Sequence, residues 1–167
     1  ISRPLSMDAS LLNFSYSNSL LDREKELLNQ GISIHLLEPT ECSSFMAFLR
    51  THMPGDWGRQ AREALIDASK GFTNYDRFIV ATINSNKNIG THYVGYSQFE
   101  GEHFGPFGVL DGYQGKSIGT VLLGRALEAM RHQGSHNAWV LWTNDKTAGL
   151  YKRFGFTESR RFAIMEK

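Results

Sequence analysis

One stretch constrains this 167-residue chain more than any other: Val109-Leu110-Asp111-Gly112-Tyr113-Gln114-Gly115-Lys116-Ser117-Ile118-Gly119-Thr120. A strand-like run through Phe107-Gly108-Val109-Leu110 ends in a turn of small residues, and helical periodicity starts at once, from about Ser117 to His132. A second strand-like run, Ala138 to Thr143, follows that helix. Strand, helix and strand over about 35 residues make a βαβ unit, whose right-handed crossover predicts parallel strands around Val109 and Val140.

Antiparallel signals surround this unit. Ile32-Ser33-Ile34-His35-Leu36 alternates with period two, as a half-buried strand does. Pro39-Thr40-Glu41 opens a helix to about His52, and Pro54-Gly55-Asp56 is turn chemistry. Ala61, Ala64, Leu65 and Ala68 recur on one face of a second helix that Gly71 ends. Arg77 to Ile83 reads as a strand, Asn84 to Gly90 as a polar turn, and His92 to Phe99 as the hairpin partner. Lys146 to Phe154 predicts a short helix and Phe162 to Met165 a last strand. The fold class is α/β, with a mixed, mostly antiparallel central sheet and one parallel βαβ crossover. Residues 1–31, serine-rich with scattered apolars and one short amphipathic helix at Leu20 to Leu28, read as an N-terminal extension or linker. Residues 32–167 read as one domain.

Composition narrows the function. Eighteen Lys and Arg against seventeen Asp and Glu leave a formal charge of +1, without the broad basic field of a nucleic-acid binder. The single Cys42 excludes an internal disulfide framework and multi-cysteine zinc, and fits a reducing cytoplasm. No apolar run reaches the roughly 18 residues of a membrane span. His132 and His136 have metal-like spacing, but Gly134 interrupts the helix that would align them, so no metal site is expected.

At the Gln114–Thr120 turn, the first amides of the helix lack internal partners, and Gly115 and Gly119 carry no Cβ to hold a ligand off. The helix dipole and Lys116 favour negative charge, which makes a phosphate or pyrophosphate cradle. The alternative is that the glycines only permit a tight strand-to-helix turn. A Walker A loop needs glycine where Leu110 stands, and Gly112, Gly115 and Gly119 have the wrong spacing for a dinucleotide fingerprint.

Gln114-Gly115-Lys116-Ser117-Ile118-Gly119 resembles the acetyl-CoA motif of the GCN5-related N-acetyltransferases (GNAT), Gln/Arg-x-x-Gly-x-Gly/Ala, with Ser117 in place of the first glycine. Asn144, Tyr151 and Gly155-Phe156 resemble the family's second signature, Asn-x6-Tyr-x3-Gly-Phe. The resemblance covers about Ile32 to Lys167. It implies acetyl-CoA as acyl-donor substrate, held by Val109, Leu110, Gln114, Gly115, Lys116, Ser117, Ile118, Gly119, Thr120 and Asn144. The strands at Val109 and Val140 are then expected to splay and admit it. Tyr151 falls at the family's general-acid position, and Glu100 or Glu102 at a place where the family often sets a carboxylate base, with His103 beside them. Trp57 falls in a connection that often walls the acceptor site. The implied activity is N-acetyl transfer to a small-molecule or peptide amine by direct attack, with no nucleic-acid or membrane partner. A homodimer and a place in a larger multidomain chain both stay open. So does the rival reading, a non-catalytic acyl-CoA-binding or interaction module of the same fold.

Overall fold

The computed structural model describes residues 4–71, 74–84 and 91–163. Its strands are β1 (Leu5–Ser10), β2 (Ile32–Leu36), β3 (Phe78–Asn84), β4 (Thr91–Glu100), β5 (His103–Val109), β6 (Asn137–Thr143) and β7 (Thr157–Arg161). Its helices are α1 (Asn18–Asn29), α2 (Cys42–His52), α3 (Gly55–Ser69), α4 (Ile118–His132) and α5 (Asp145–Arg153). The strands form one sheet in the order β2-β3-β4-β5-β6-β1-β7, antiparallel except where β5 meets β6.

Burial explains the layers. Phe78, Ile79, Val80 and Ala81 of β3 are all buried, without alternation, because helices cover both faces of the sheet there. On one face, Phe45, Leu49, Ala61 and Leu65 of α2 and α3 pack on Phe78, Val80, Tyr93 and Tyr96. On the other, α4 lays Val121, Leu122, Ala126 and Met130 against Ile79, Ala81, Val94 and Phe104, with Leu27 of α1 and Tyr151 of α5 in the same cluster. The apolar stripe of α4 lies against the sheet, as a βαβ crossover requires.

Two expectations change. The N-terminal segment is no linker: β1 lies between β6 and β7 and pairs antiparallel with both. Its sequence, Leu5-Ser6-Met7-Asp8-Ala9-Ser10, hides the strand because bulges on both sides break its period, so that Leu5, Ser6 and Met7 are all buried. The buried Ser6 hydroxyl is satisfied by donating to the Leu141 carbonyl at 2.6 Å. The last strand falls at Thr157–Arg161 rather than Phe162 to Met165, where residues 164–165 lie outside the described residues. Residues 85–90 of the expected hairpin turn also lie outside them.

The parallel pair decides where a ligand can enter. The β5–β6 ladder registers at His103 opposite Trp139, and the Trp139 amide donates to the Glu102 carbonyl at 2.8 Å. No further β5–β6 pair registers among the described residues. The strands therefore meet at one end and open toward Val109 and Thr143. No described helix is long and apolar enough to cross a membrane.

Candidate functional site

The open end of the β5–β6 wedge is a cleft of about 910 Å³. Phe107 to Val109 of β5 and the loop after it from Leu110 form the floor, and Gly119 and Thr120 at the start of α4 form one wall. Amides alternate sides along a strand. The Leu110 amide donates to Val94 of β4 at 2.8 Å, so the Val109 amide points the other way, into the gap. At the wall, the Val121 amide is the first of α4 to find a carbonyl, that of Ser117, at 3.1 Å. The amides of Ile118, Gly119 and Thr120 precede that first helical bond and stand at the positive end of the dipole.

Ser117 has φ 71° and is the one non-glycine residue with positive φ among the described residues. This left-handed conformation is why a glycine suits the position, and serine holds it at some strain. Its hydroxyl accepts from the Arg23 guanidinium at 2.9 Å. Gly119 is tight for another reason: a Cβ there would sit 3.3 Å from the Phe107 ring, so its absence lets α4 press against β5.

The remaining motif residues divide by role. The Gln114 side-chain amide donates to the Val109 carbonyl at 3.1 Å and to Asp111 at 3.2 Å, so it braces the loop. Lys146 donates to the Gln114 oxygen at 3.4 Å. Asn144 caps α5, its side-chain oxygen accepting from the Thr147 amide at 2.9 Å, and also lines the cleft. Lys116, expected to supply positive charge, does not line the cleft; its ammonium lies over the Tyr113 ring, 5.8 Å from the centroid. The cations lining it are Arg23, Lys146 and Arg153, against one carboxylate, Asp111.

Tyr151 is 5% exposed and sits behind the cleft lining. Its ring meets Phe107 edge-on at 6.3 Å, and Phe107 faces the cleft. Burial raises its pKa far above the ordinary phenol value. The helical period accounts for the placement: Lys146, Leu150 and Arg153 share the stripe of α5 that faces the cleft, and Tyr151 is turned toward the core.

The acidic residues expected as bases are not brought there. Glu100 and Glu102 lie at the closed end of the wedge, with β5 running about 20 Å from them to Val109. Glu100 pairs with Arg77 at 3.4 Å and Glu102 gives its carbonyl to Trp139. His103 stacks on Trp139 at 4.4 Å at that same end, and desolvation lowers its pKa. The reason is register: a strand carries residues at its two ends to opposite edges of the site. The groups opposite α4 are instead His52 at the end of α2, Met53 just after it, and Trp57, which lies in the first turn of α3 rather than in the connection expected for it. Trp57 lies flat enough on β5 that a Cβ on Gly108 would be 2.9 Å from its ring.

Sequence reasoning missed Arg23, Lys146, Arg153 and His52. Lys146 and Arg153 are legible in retrospect as basic residues seven apart on one helix, whereas Arg23 carries no local signal.

The acetyltransferase (GNAT) domain model matches residues 74–158, just over half of the chain. No curated protein matches. Among solved structures, the fold is similar to the glucosamine N-acetyltransferase region of a fungal multi-domain GH3 β-N-acetylglucosaminidase, with TM-score 0.73, 15% identity, and 96% of this chain and 20% of that one covered. It is similar to GCN5-related N-acetyltransferases from Sphaerobacter thermophilus (TM-score 0.65, 15% identity, 96% and 50% covered) and Kribbella flavida (0.55, 15%, 96% and 56%). The chain thus spans between one fifth and just over half of the length of these solved chains. With half its length matching the family model, on a wedge-shaped sheet of the same fold, the chain belongs to the GNAT family of acetyltransferases.

Proposed function

We propose that this protein is an acetyl-CoA-dependent N-acetyltransferase that passes an acetyl group to a primary amine by direct attack. The observation that carries the reading is the wedge: an unpaired edge of β5 leads straight to the free amides of α4. An extended amide-bearing arm can pair with such an edge as a further strand would, and a pyrophosphate suits the amides at its end. The Val109 amide, aimed into the gap, would then polarise the thioester oxygen, a contact worth about 3 kcal/mol when preorganised.

The amine approaches from the side of His52, Met53 and Trp57. Its nitrogen attacks the carbonyl carbon, the C–S bond breaks, the sulfur takes one proton from a donor side chain, and the proton the nitrogen loses returns through solvent to that donor. Tyr151 is the donor in this reading, and because it stands behind Phe107 and outside the cleft lining, its hydroxyl reaches the sulfur only as the Phe107 ring moves aside. Burial keeps its phenol protonated well above neutral pH. The same burial weakens the phenol as an acid, so transfer to the sulfur must be concerted with breaking of the C–S bond and followed by prompt reprotonation.

An amino sugar heads the acceptor panel, because one chain of similar fold is a glucosamine N-acetyltransferase region. Free-thiol release from acetyl-CoA should be measured with glucosamine, spermidine and a peptide bearing a free N-terminus. Melting should be followed with saturating CoA, since a ligand that binds only the folded state raises its stability. An upward shift in the parent, lost in Gly119→Glu, supports the reading. A shift without turnover of any amine would favour the non-catalytic acyl-CoA-binding module. No shift would sink both.

A further inference from the structure

A second cavity, of about 490 Å³, adjoins the cleft beyond the start of α4. The two share Arg23, Thr120 and Arg153, so the arginines stand at the passage between them. The main cleft runs from the acceptor side, past Val109, to the amides of α4; this cavity continues it outward. Its far walls come from the end of β1, the connection after it and the first turn of α1, all outside the matched family region.

The chemistry of the lining is uneven in an informative way. Phe14 and Phe154, both half-buried, face the cavity with ring centroids 6.4 Å apart and planes inclined by 32°. Asn13 and Ser15 on the same rim offer donors and acceptors. No carboxylate lines the cavity among the described residues. Aromatic rings, polar edge groups and paired guanidinium groups without a balancing acid suit a purine base attached to a phosphate. Arg23 is already held in place by Ser117, and Arg131 is bonded to the carbonyl of Phe14, so the segment is anchored at both points.

We propose that this cavity is the seat of the adenosine 3′-phosphate end of CoA: Arg23 and Arg153 hold the 3′-phosphate, and Phe14 with Phe154 supports the adenine. The inference rests on acetyl-CoA being the donor and adds a role for the N-terminal segment. That segment would make the enzyme selective for the full nucleotide over carriers that share only the phosphopantetheine arm.

Calorimetric titration with CoA, dephospho-CoA and 4′-phosphopantetheine tests it without an acceptor. The parent should bind CoA about tenfold more tightly than dephospho-CoA, the difference a charge-assisted contact supports. Arg23→Gln and Arg153→Gln, both exposed and expected to fold, should each shrink that ratio while leaving dephospho-CoA within about twofold of the parent. Phe14→Leu should weaken CoA and dephospho-CoA but not 4′-phosphopantetheine. Equal affinity of the parent for CoA and dephospho-CoA would overturn the inference while leaving the donor reading intact. So would arginine variants that weaken both nucleotides equally, since the guanidinium groups would then serve the pyrophosphate. Failure of all three ligands to bind would instead overturn the donor reading itself.

Discussion

Ser117 shows what one residue can trade. Its φ of 71° places an L residue where sterics oppose it by about 1–2 kcal/mol, while glycine would lose about 0.5–1 kcal/mol through extra freedom in the unfolded chain. The balance favours glycine slightly, and the exposed bond to Arg23 subtracts little. Ser117→Gly should therefore raise the melting temperature by about 2–4 °C at most and leave CoA affinity within a few-fold. A fall in melting temperature would show that the Arg23 contact outweighs the strain. Tyr151 belongs to the same scale. Tyr151→Phe removes one hydroxyl from a ring that keeps its contacts with Phe104, Phe107 and Phe156. Melting should hardly move, and kcat should drop by about 10²–10⁴-fold with a smaller effect on KM for acetyl-CoA. A variant keeping more than about half the parental kcat, with chemistry rate-limiting, would pass the proton to water.

At the scale of elements, β1 is what completes the β6 side of the wedge. β6 has a single registered pair with β5 and a long antiparallel ladder with β1, so its position depends on the N-terminal strand. Ser6→Ala would leave the Leu141 carbonyl without its donor inside the sheet. We expect a loss of about 1–2 kcal/mol, seen as a lower urea midpoint at unchanged slope. A neutral result would mean that water reaches that carbonyl. The α1 helix is fastened separately, by the Arg125–Glu24 ion pair and by Arg125 lying 4.1 Å from the Tyr16 ring centroid. What the sequence revealed follows the same division. Gln114 to Gly119 is legible because a strand end, a turn and a helix start are consecutive in the chain. The identity of β1 and the reach of Arg23 depend on partners about a hundred residues away, and no local pattern encodes them. The carboxylates failed for a related reason: adjacency to the right strand does not say which end of it opens.

For the whole molecule, a formal charge of +1 leaves little general repulsion, so pH dependence should come from individual groups. His103 is one. Desolvation against Trp139 lowers its folded pKa below the unfolded value near 6.5, with Glu100 opposing weakly. The unfolded chain then binds the extra proton first as pH falls, so stability present above about pH 6.5 is lost below it. Glu41 acts lower: burial would raise its pKa, but hydrogen bonds from the Glu38 amide, His35 and Tyr93 hold it below the carboxylate range. Its contribution fades only below about pH 4.3, in a separate window. Urea midpoints at pH 7.5 and 5.5 should differ less in His103→Phe than in the parent. Equal differences would assign the acid sensitivity elsewhere.

The place of β1 also sets an order of events. Its hydrogen-bonding partners are β6 and β7, and the Ser6 to Leu141 contact spans 135 positions. During synthesis the first strand must wait, unpaired, while everything from α1 to α4 emerges. The β2–β5 meander can assemble from neighbours in the chain, but the second arm of the wedge closes only when the two ends of the sequence meet. Long loops close slowly and pay their entropy before any contact rewards them. The cleft between β5 and β6 would thus be the last part of this fold to form, and a newly made chain would gain the β2–β5 half of its sheet well before its capacity to hold a ligand.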